Sequence, residues 1–237
     1  MTLKKMGYSG DDIAVQNLSE YRMEAANGNG DVILSYPVNA PQFNDKITIT
    51  LYGNNADQED DADIIYQTNY SIKDYIDASS EYISDDKALT LIKALDNYGK
   101  AAENYFNGTH NVIEGINDIS AEDVKDYALP TDKDLKLSLV LNSATALRIY
   151  TDSKNVEYNG NKLASKVSKY GTYYEIDNIF AQKLSDKYTV VIDGKEYSIS
   201  PLTYVYKVLS NKNSSPALVD MAKAIYVYAK AAKDYKG

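Results

Sequence analysis

Cysteine and tryptophan are absent from these 237 residues, histidine occurs once, and there are only three phenylalanines and five prolines. Each shortage removes some chemistry. Without cysteine there are no disulfides, thiolate metal sites or cysteine nucleophiles, and disulfide usage says nothing about redox compartment. The single histidine, His110, follows a helix-ending Asn107-Gly108 and comes with no metal-ligand spacing or activated nucleophile, so it is read as a cap or a solvated side chain. Basic clusters are also missing. With 34 acids against 25 bases the net charge is −9, which argues against nucleic acid and anionic membranes as partners. No apolar run approaches the roughly 18 residues of a membrane span, so no membrane insertion is expected, and Met1-Thr2-Leu3-Lys4-Lys5 leads into polar sequence instead of a signal-peptide core. What is plentiful is tyrosine, at 23 residues, which therefore supplies nearly all the aromatic bulk.

The organising feature is a repeat. Ala88 to Phe106 (ALTLIKALDNYGKAAENYF) returns without a gap as Leu218 to Tyr235, with Lys93, Ala94, Tyr98, Lys100, Ala101, Ala102 and Tyr105 recurring as Lys223, Ala224, Tyr228, Lys230, Ala231, Ala232 and Tyr235. Ala88, Leu91, Ile92, Leu95, Tyr98, Gly99, Ala102, Tyr105 and Phe106 fall on one face of a helix and are assigned to the core. On this spacing Tyr98, Tyr105, Tyr228 and Tyr235 are packing residues.

Upstream of the first helix, Leu3–Tyr8, Ile13–Leu18, Tyr21–Ala25 and Asp31–Val38 read as short strands between turn clusters, and Lys46–Tyr52 (KITITLY) alternates as a half-buried strand with Ile47, Ile49 and Leu51 inward. Ile64–Thr68 is the returning strand of a hairpin. Ser71 with Asp74 forms a capping box for a helix to about Ile83, and Ser84 is expected to cap the organising helix. The second copy repeats the order. Leu135–Leu141 and Thr172–Ile176 are strands, Asn159-Gly160 marks a hairpin, Asp186–Gly194 aligns with Asp45–Gly53, and Ser200-Pro201 and Ser215-Pro216 start two helices. The expected fold is α+β, two tandem copies of an antiparallel β-sheet unit followed by a two-helix hairpin. The first copy is placed at residues 1–107, a linker with one short helix signal (Ser120-x-x-Asp123) at 108–133, and the second copy at 134–237. The first copy lacks a counterpart of the strand at 135–141, so 134–237 is expected to fold alone and 1–107 to be marginal.

Tyr70-Ser71-Ile72-Lys73-Asp74-Tyr75 and Leu95-x-Asn97-Tyr98-Gly99-x-Ala101-Ala102-x-x-Tyr105-Phe106 in the first copy, with Ala144-x-Ala146-Leu147-Arg148-Ile149-Tyr150 and Tyr188-Thr189-Val190-x-x-Asp193-Gly194 in the second, carry a likeness. They resemble the tandem modules of large surface and secreted proteins of gut and rumen Clostridia, often found beside dockerin, leucine-rich or fibronectin-type segments. The resemblance implies an extracellular or cell-surface setting and carries no catalytic or ligand residues across. Val227-Tyr228-Ala229 replaces Asn97-Tyr98-Gly99 in the second copy, which argues against Asn97 as a shared functional residue.

Two groups of candidate site residues stand out. Tyr170, Tyr173 and Tyr174 cluster around Gly171, and Tyr226 lies on its helix away from Tyr228; outward-facing rings among them would stack on sugar faces, the alternative being partial burial. Asp57, Glu59, Asp61 and Asp63 alternate along the loop 53–63, so an extended chain would present four carboxylates on one side, as a Ca2+ site uses, the alternative being a charged loop tip. The glycine and spacing of an EF-hand are missing, so no cofactor is expected. The remaining acids are read as solvated surface instead of a glycosidase-type carboxylate pair. Three functions follow in order: a non-catalytic extracellular module serving as spacer, display or contact surface, a glycan-binding module using exposed tyrosines, and an enzyme. The partners implied are a polysaccharide or another surface protein.

Overall fold

The computed structural model describes residues 2–6, 23–26, 31–34, 38–52, 64–130, 135–141 and 145–236. The chain is α+β with antiparallel sheets, and its contacts divide it into two units, one of residues 1–38 and 42–82, the other of residues 39–41 and 83–237.

The first unit contains β1 (Thr2–Met6), β2 (Met23–Ala26), β3 (Asp31–Leu34), β4 (Lys46–Tyr52), β5 (Ile64–Tyr70) and α1 (Ile72–Tyr82). β4 is the central strand, antiparallel to β1 and to β5, while β2 and β3 pair with each other. The strand expected at Ile13–Leu18 lies outside the described residues. The alternation of KITITLY does make a strand, yet its most buried described side chain is Thr48, with Ile47 and Ile49 only half-buried. Thr48 tolerates burial because its hydroxyl donates to Asn69 Oδ1 at 2.7 Å, and Asn69 is its direct cross-strand partner. The Ser71–Asp74 capping box starts α1: the Asp74 amide donates to Ser71 Oγ at 3.1 Å, and the Ser71 amide donates to the Asp74 carboxylate at 2.8 Å. The Lys46 ammonium on that carboxylate, helped by Ser71, holds Asp74 below its usual value.

The second unit opens with α2 (Asp86–Asn107). Then come β6 (Lys136–Leu141), β7 (Thr145–Tyr150), β8 (Val156–Tyr158), β9 (Asn161–Lys162), β10 (Lys166–Ser168), β11 (Gly171–Ile179), β12 (Tyr188–Ile192), β13 (Lys195–Ile199), α3 (Pro201–Ser210) and α4 (Pro216–Lys236). They form two four-stranded antiparallel sheets, ordered β10-β11-β7-β6 and β13-β12-β8-β9. Asn159-Gly160 and Asp193-Gly194 join β8 to β9 and β12 to β13 as two-residue turns with positive φ at both positions, which suits the strand twist. The repeat is visible in the element order, β4-β5-α1-α2 recurring as β12-β13-α3-α4. Ser200 caps α3, accepting from the Leu202 amide at 3.1 Å, and Gly108 ends α2 in the left-handed region. The cap of α2 is Asp85 and not Ser84. The Ala88 amide donates to Asp85 Oδ1 at 2.7 Å, and a carboxylate there also meets the positive end of the helix dipole.

The two copies of the repeated helix pack on each other, α2 against α4. Their equivalent tyrosines, Tyr98 and Tyr228, stack with ring centroids 5.2 Å apart and planes 14° from parallel. The helices run antiparallel, because His110 just beyond the end of α2 meets Asp220 near the start of α4, while Asp86 and Thr90 lie beside Ala231 and Asp234. Identical motifs packed antiparallel about equivalent residues make a self-complementary contact, as identical subunits do across a twofold axis. Ala94, Ala101 and Ala102 and their counterparts Ala224, Ala231 and Ala232 are all buried, and such small side chains let the helices approach closely.

This pairing moves the boundary between the compact units to Tyr82/Ile83, whereas the sequence placed one at Asn107. The stretch 108–133, read as a linker, is packed where it is described. Ile113, Ile116 and Val124 are buried, the 3-10 helix Ala121–Tyr127 packs on α3, and the Asn97 and Asn104 amides donate to the Glu114 and Asn111 carbonyls, both at 2.8 Å. Asn97 thus fastens the loop that follows α2. Replacing Tyr98 by Ala should cost about 3–5 kcal/mol in denaturant unfolding of the full chain. A fragment 83–237 should melt cooperatively, whereas 134–237, stripped of α2, should melt lower or form a dimer through the bared face of α4 in analytical ultracentrifugation.

Candidate functional site

A cleft of about 500 Å³ opens in the second unit where the end of α2, strands β6 and β7, the β10–β11 turn, α3 and α4 converge. This size lies in the usual range for small-ligand sites. Its mouth carries three exposed rings, Tyr105, Phe106 and Tyr170. Tyr105 and Phe106 are the last aromatic residues of α2 and meet edge to face, their centroids 5.2 Å apart. Its lining is apolar at Leu137 and Leu139 of β6 and Met221 and Ile225 of α4, and Ser138, Ser168, Tyr150 and Tyr204 add hydroxyls to it. Burial pushes the Tyr204 phenol up to about 12, with the nearby Tyr105 adding to it, so Tyr204 remains a neutral hydrogen-bonding group. Burial would also raise Tyr150, but its hydrogen bonds with Ser138 and Ser168 and the Arg148 charge outweigh this and lower it.

A second cleft of about 520 Å³ adjoins the first, sharing Lys136, Leu137, Tyr204 and Leu218 with it, and continues to Asn211 and Ser214 beyond α3. Together they form an elongated groove. Lys136, Arg148 and Lys169 line the main cleft, and no carboxylate does among the described residues.

Glu175 explains part of this charge pattern. It lies directly across from Arg148 in the β11/β7 register, its Oε2 accepting from Arg148 Nε at 2.6 Å and its Oε1 accepting from Lys166 Nζ at 2.7 Å. Burial raises the carboxyl, but the two cations more than offset that and leave it below its ordinary value. Both oxygens are thus engaged away from the cleft lysines. Arg148 also covers the Tyr173 ring at 4.5 Å and so holds that ring against Tyr150.

Comparison with protein-family models, with curated proteins and with solved structures returned no match. Of the four tyrosines singled out by sequence, only Tyr170 lines the cleft as an exposed ring. Tyr173 and Tyr174 are corrected to interior residues: Tyr173 is packed under Arg148, and Tyr174, 2 % exposed, donates its hydroxyl to the Ser153 carbonyl at 2.7 Å. β11 is the second strand of its sheet, so neither side chain projects from an open edge. Tyr226 is half-buried beside Asp123, away from the cleft. Asp57, Glu59, Asp61 and Asp63 lie outside the described residues, and among the described residues no group of three or more His, Asp or Glu side chains is placed to hold a metal. His110 is paired with Asp220 at 2.8 Å, a contact between the α2 exit and α4.

Sequence reasoning missed Tyr105, Phe106, Lys136 and Lys169. The helical pattern assigned Tyr105 and Phe106 to the core, but they lie in the last turn of α2, where the packed face gives way to the cleft. One signal was available: Phe106 aligns with Lys236 in the repeat, so its aromatic ring belongs to one copy only. Glu175→Gln should destabilise the chain by about 1–2 kcal/mol at pH 7. Because the folded-state value lies below the ordinary 4.5, that stability is present above pH 4.5 and is lost as pH falls through the folded value. Melting temperatures of the wild type and variant should therefore converge only as pH falls below the ordinary carboxylate range.

Proposed function

We propose that this chain is a non-catalytic module of an extracellular bacterial protein and that its contact surface is the aromatic groove of the second unit, which takes a saccharide chain. The observation that carries this reading is the set of exposed rings, Tyr105, Phe106 and Tyr170, around a cleft whose lining offers hydroxyl groups. Flat rings cover the apolar face of a pyranose, while Ser and Tyr hydroxyls exchange hydrogen bonds with its rim. The extension toward Asn211 and Ser214 suits a polymer, which occupies a groove, better than a single compact metabolite. The extracellular setting rests on the resemblance of the repeated motifs to surface-protein modules.

A simple spacer is the second reading, favoured by the duplication itself. It gives no role to exposed rings at the end of α2. Retardation of the full chain in native gels containing plant, mucin or host-type polysaccharides separates the two. Binding is expected, with Phe106→Ala and Tyr170→Ala each weakening it about 5- to 50-fold, the scale of losing one stacked ring. No retardation by any polymer in either form would leave the spacer reading in possession.

A further inference from the structure

The groove is cationic in an acidic protein. Lys136, at the start of β6, and Lys169, in the β10–β11 turn, both line it, and neither has a carboxylate partner among the described residues. Several lysines elsewhere in the chain sit on acids, Lys46 on Asp74, Lys73 on Asp77, Lys100 on Asp96 and Lys183 on Asp186, so a lysine here is not kept from a carboxylate by its type. With acids in excess by 34 to 25, a cleft lined by Lys136, Arg148 and Lys169 and, among the described residues, by no carboxylate is a distinct electrostatic feature.

Their positions are held by aromatic rings. The Lys136 ammonium lies 5.2 Å from the Tyr150 ring centroid and 5.8 Å from that of Tyr170, and it donates to the Tyr170 carbonyl at 3.4 Å. The Lys169 ammonium lies 4.9 Å from the Tyr170 centroid. Cation–π attraction thus gathers two positive charges about one exposed ring without neutralising them. Glu175, an acid of the same sheet, has both oxygens occupied by Arg148 and Lys166. The Tyr105–Phe106 pair supplies rings to the same cleft, and Ser and Tyr hydroxyls are among its lining groups.

From this juxtaposition we infer that the groove binds an anionic saccharide, a pyranose chain bearing carboxylate or sulfate, with Lys136 and Lys169 receiving the charge and Tyr105 and Phe106 the sugar face. This rests on the saccharide reading above and adds the charge class to it. An acidic peptide would meet the same lysines, but rings and hydroxyls lining an open, elongated groove match a polyhydroxylated chain more closely.

Two pairs of polymers, each sharing one backbone, test the inference on the full chain: polygalacturonate against its carboxyl-reduced form, and dextran sulfate against dextran, with poly-L-glutamate as the peptide arm. Affinity electrophoresis or calorimetry should give at least a tenfold preference for the charged member of one pair, which also identifies carboxylate or sulfate as the anion. Lys136→Ala and Lys169→Ala should each reduce that preference several-fold, Lys136→Arg should preserve it, and Lys87→Ala on α2, outside the groove, should leave it unchanged. Raising salt should abolish it. Equal binding of charged and uncharged members would overturn the anionic inference while sparing the saccharide reading. Absence of binding to all four polysaccharides would overturn both. Binding of poly-L-glutamate as tight as that of the polysaccharides, with the same dependence on the two lysines, would replace the saccharide by an acidic peptide.

Discussion

The stack of Tyr98 on Tyr228 fixes how the two copies of the repeat meet, and most of the second unit's arrangement follows from it. Two aromatic rings facing each other at the centre of an antiparallel helix pair are flanked by alanines, so the helices come close and their register is set by shape. Burial and the facing phenol raise the Tyr98 hydroxyl far above its usual value, which places an ionised form of this ring out of reach near neutrality. The pairing also draws in its surroundings. The segment after α2 is clamped by Asn97 and Asn104, and its short 3-10 helix packs on α3, turning what composition reads as a connection into part of the core.

A consequence for function is that the groove is composite. Tyr105 and Phe106 come from the first copy's helix, while Lys136, Lys169, Tyr170 and Tyr204 come from the second. Neither copy holds the site alone. Duplication here has done more than provide two beads on a string: the first copy's helix has become a wall of the second copy's cleft. The glycine that ends α2 matters to this, since Gly108 at φ 67° stops the helix just after the two rings.

Local signals in the sequence translated well into local structure. The helical period of the repeat, the Ser71–Asp74 and Ser200 caps, the Asn159-Gly160 turn and the alternation of Lys46–Tyr52 all report short-range preferences, and each element is present. What failed was anything decided by a partner distant in sequence. Thr48 is buried because Asn69 lies opposite it, and Tyr173 and Tyr174 are inside because Arg148 and the Ser153 carbonyl meet them there. The site was legible only at Tyr170. Tyr105 and Phe106 share the spacing of core residues, and nothing in a helical period tells where along a helix its packing partner ends. Lys136 and Lys169 are 33 positions apart, so their convergence on one ring required the sheet order β10-β11-β7-β6.

The central claim is that α2 is energetically part of the same cooperative unit as α4, despite belonging to the other copy of the repeat. Native-state hydrogen exchange of the full chain measures this directly. The account predicts that the amides of Ile92–Ala102 and those of Ile225–Ala232 open with the same free energy and the same denaturant dependence. If the α2 amides exchanged together with those of α1 while α4 stayed protected, the helix would belong to the first copy alone, and the composite groove would lose its wall.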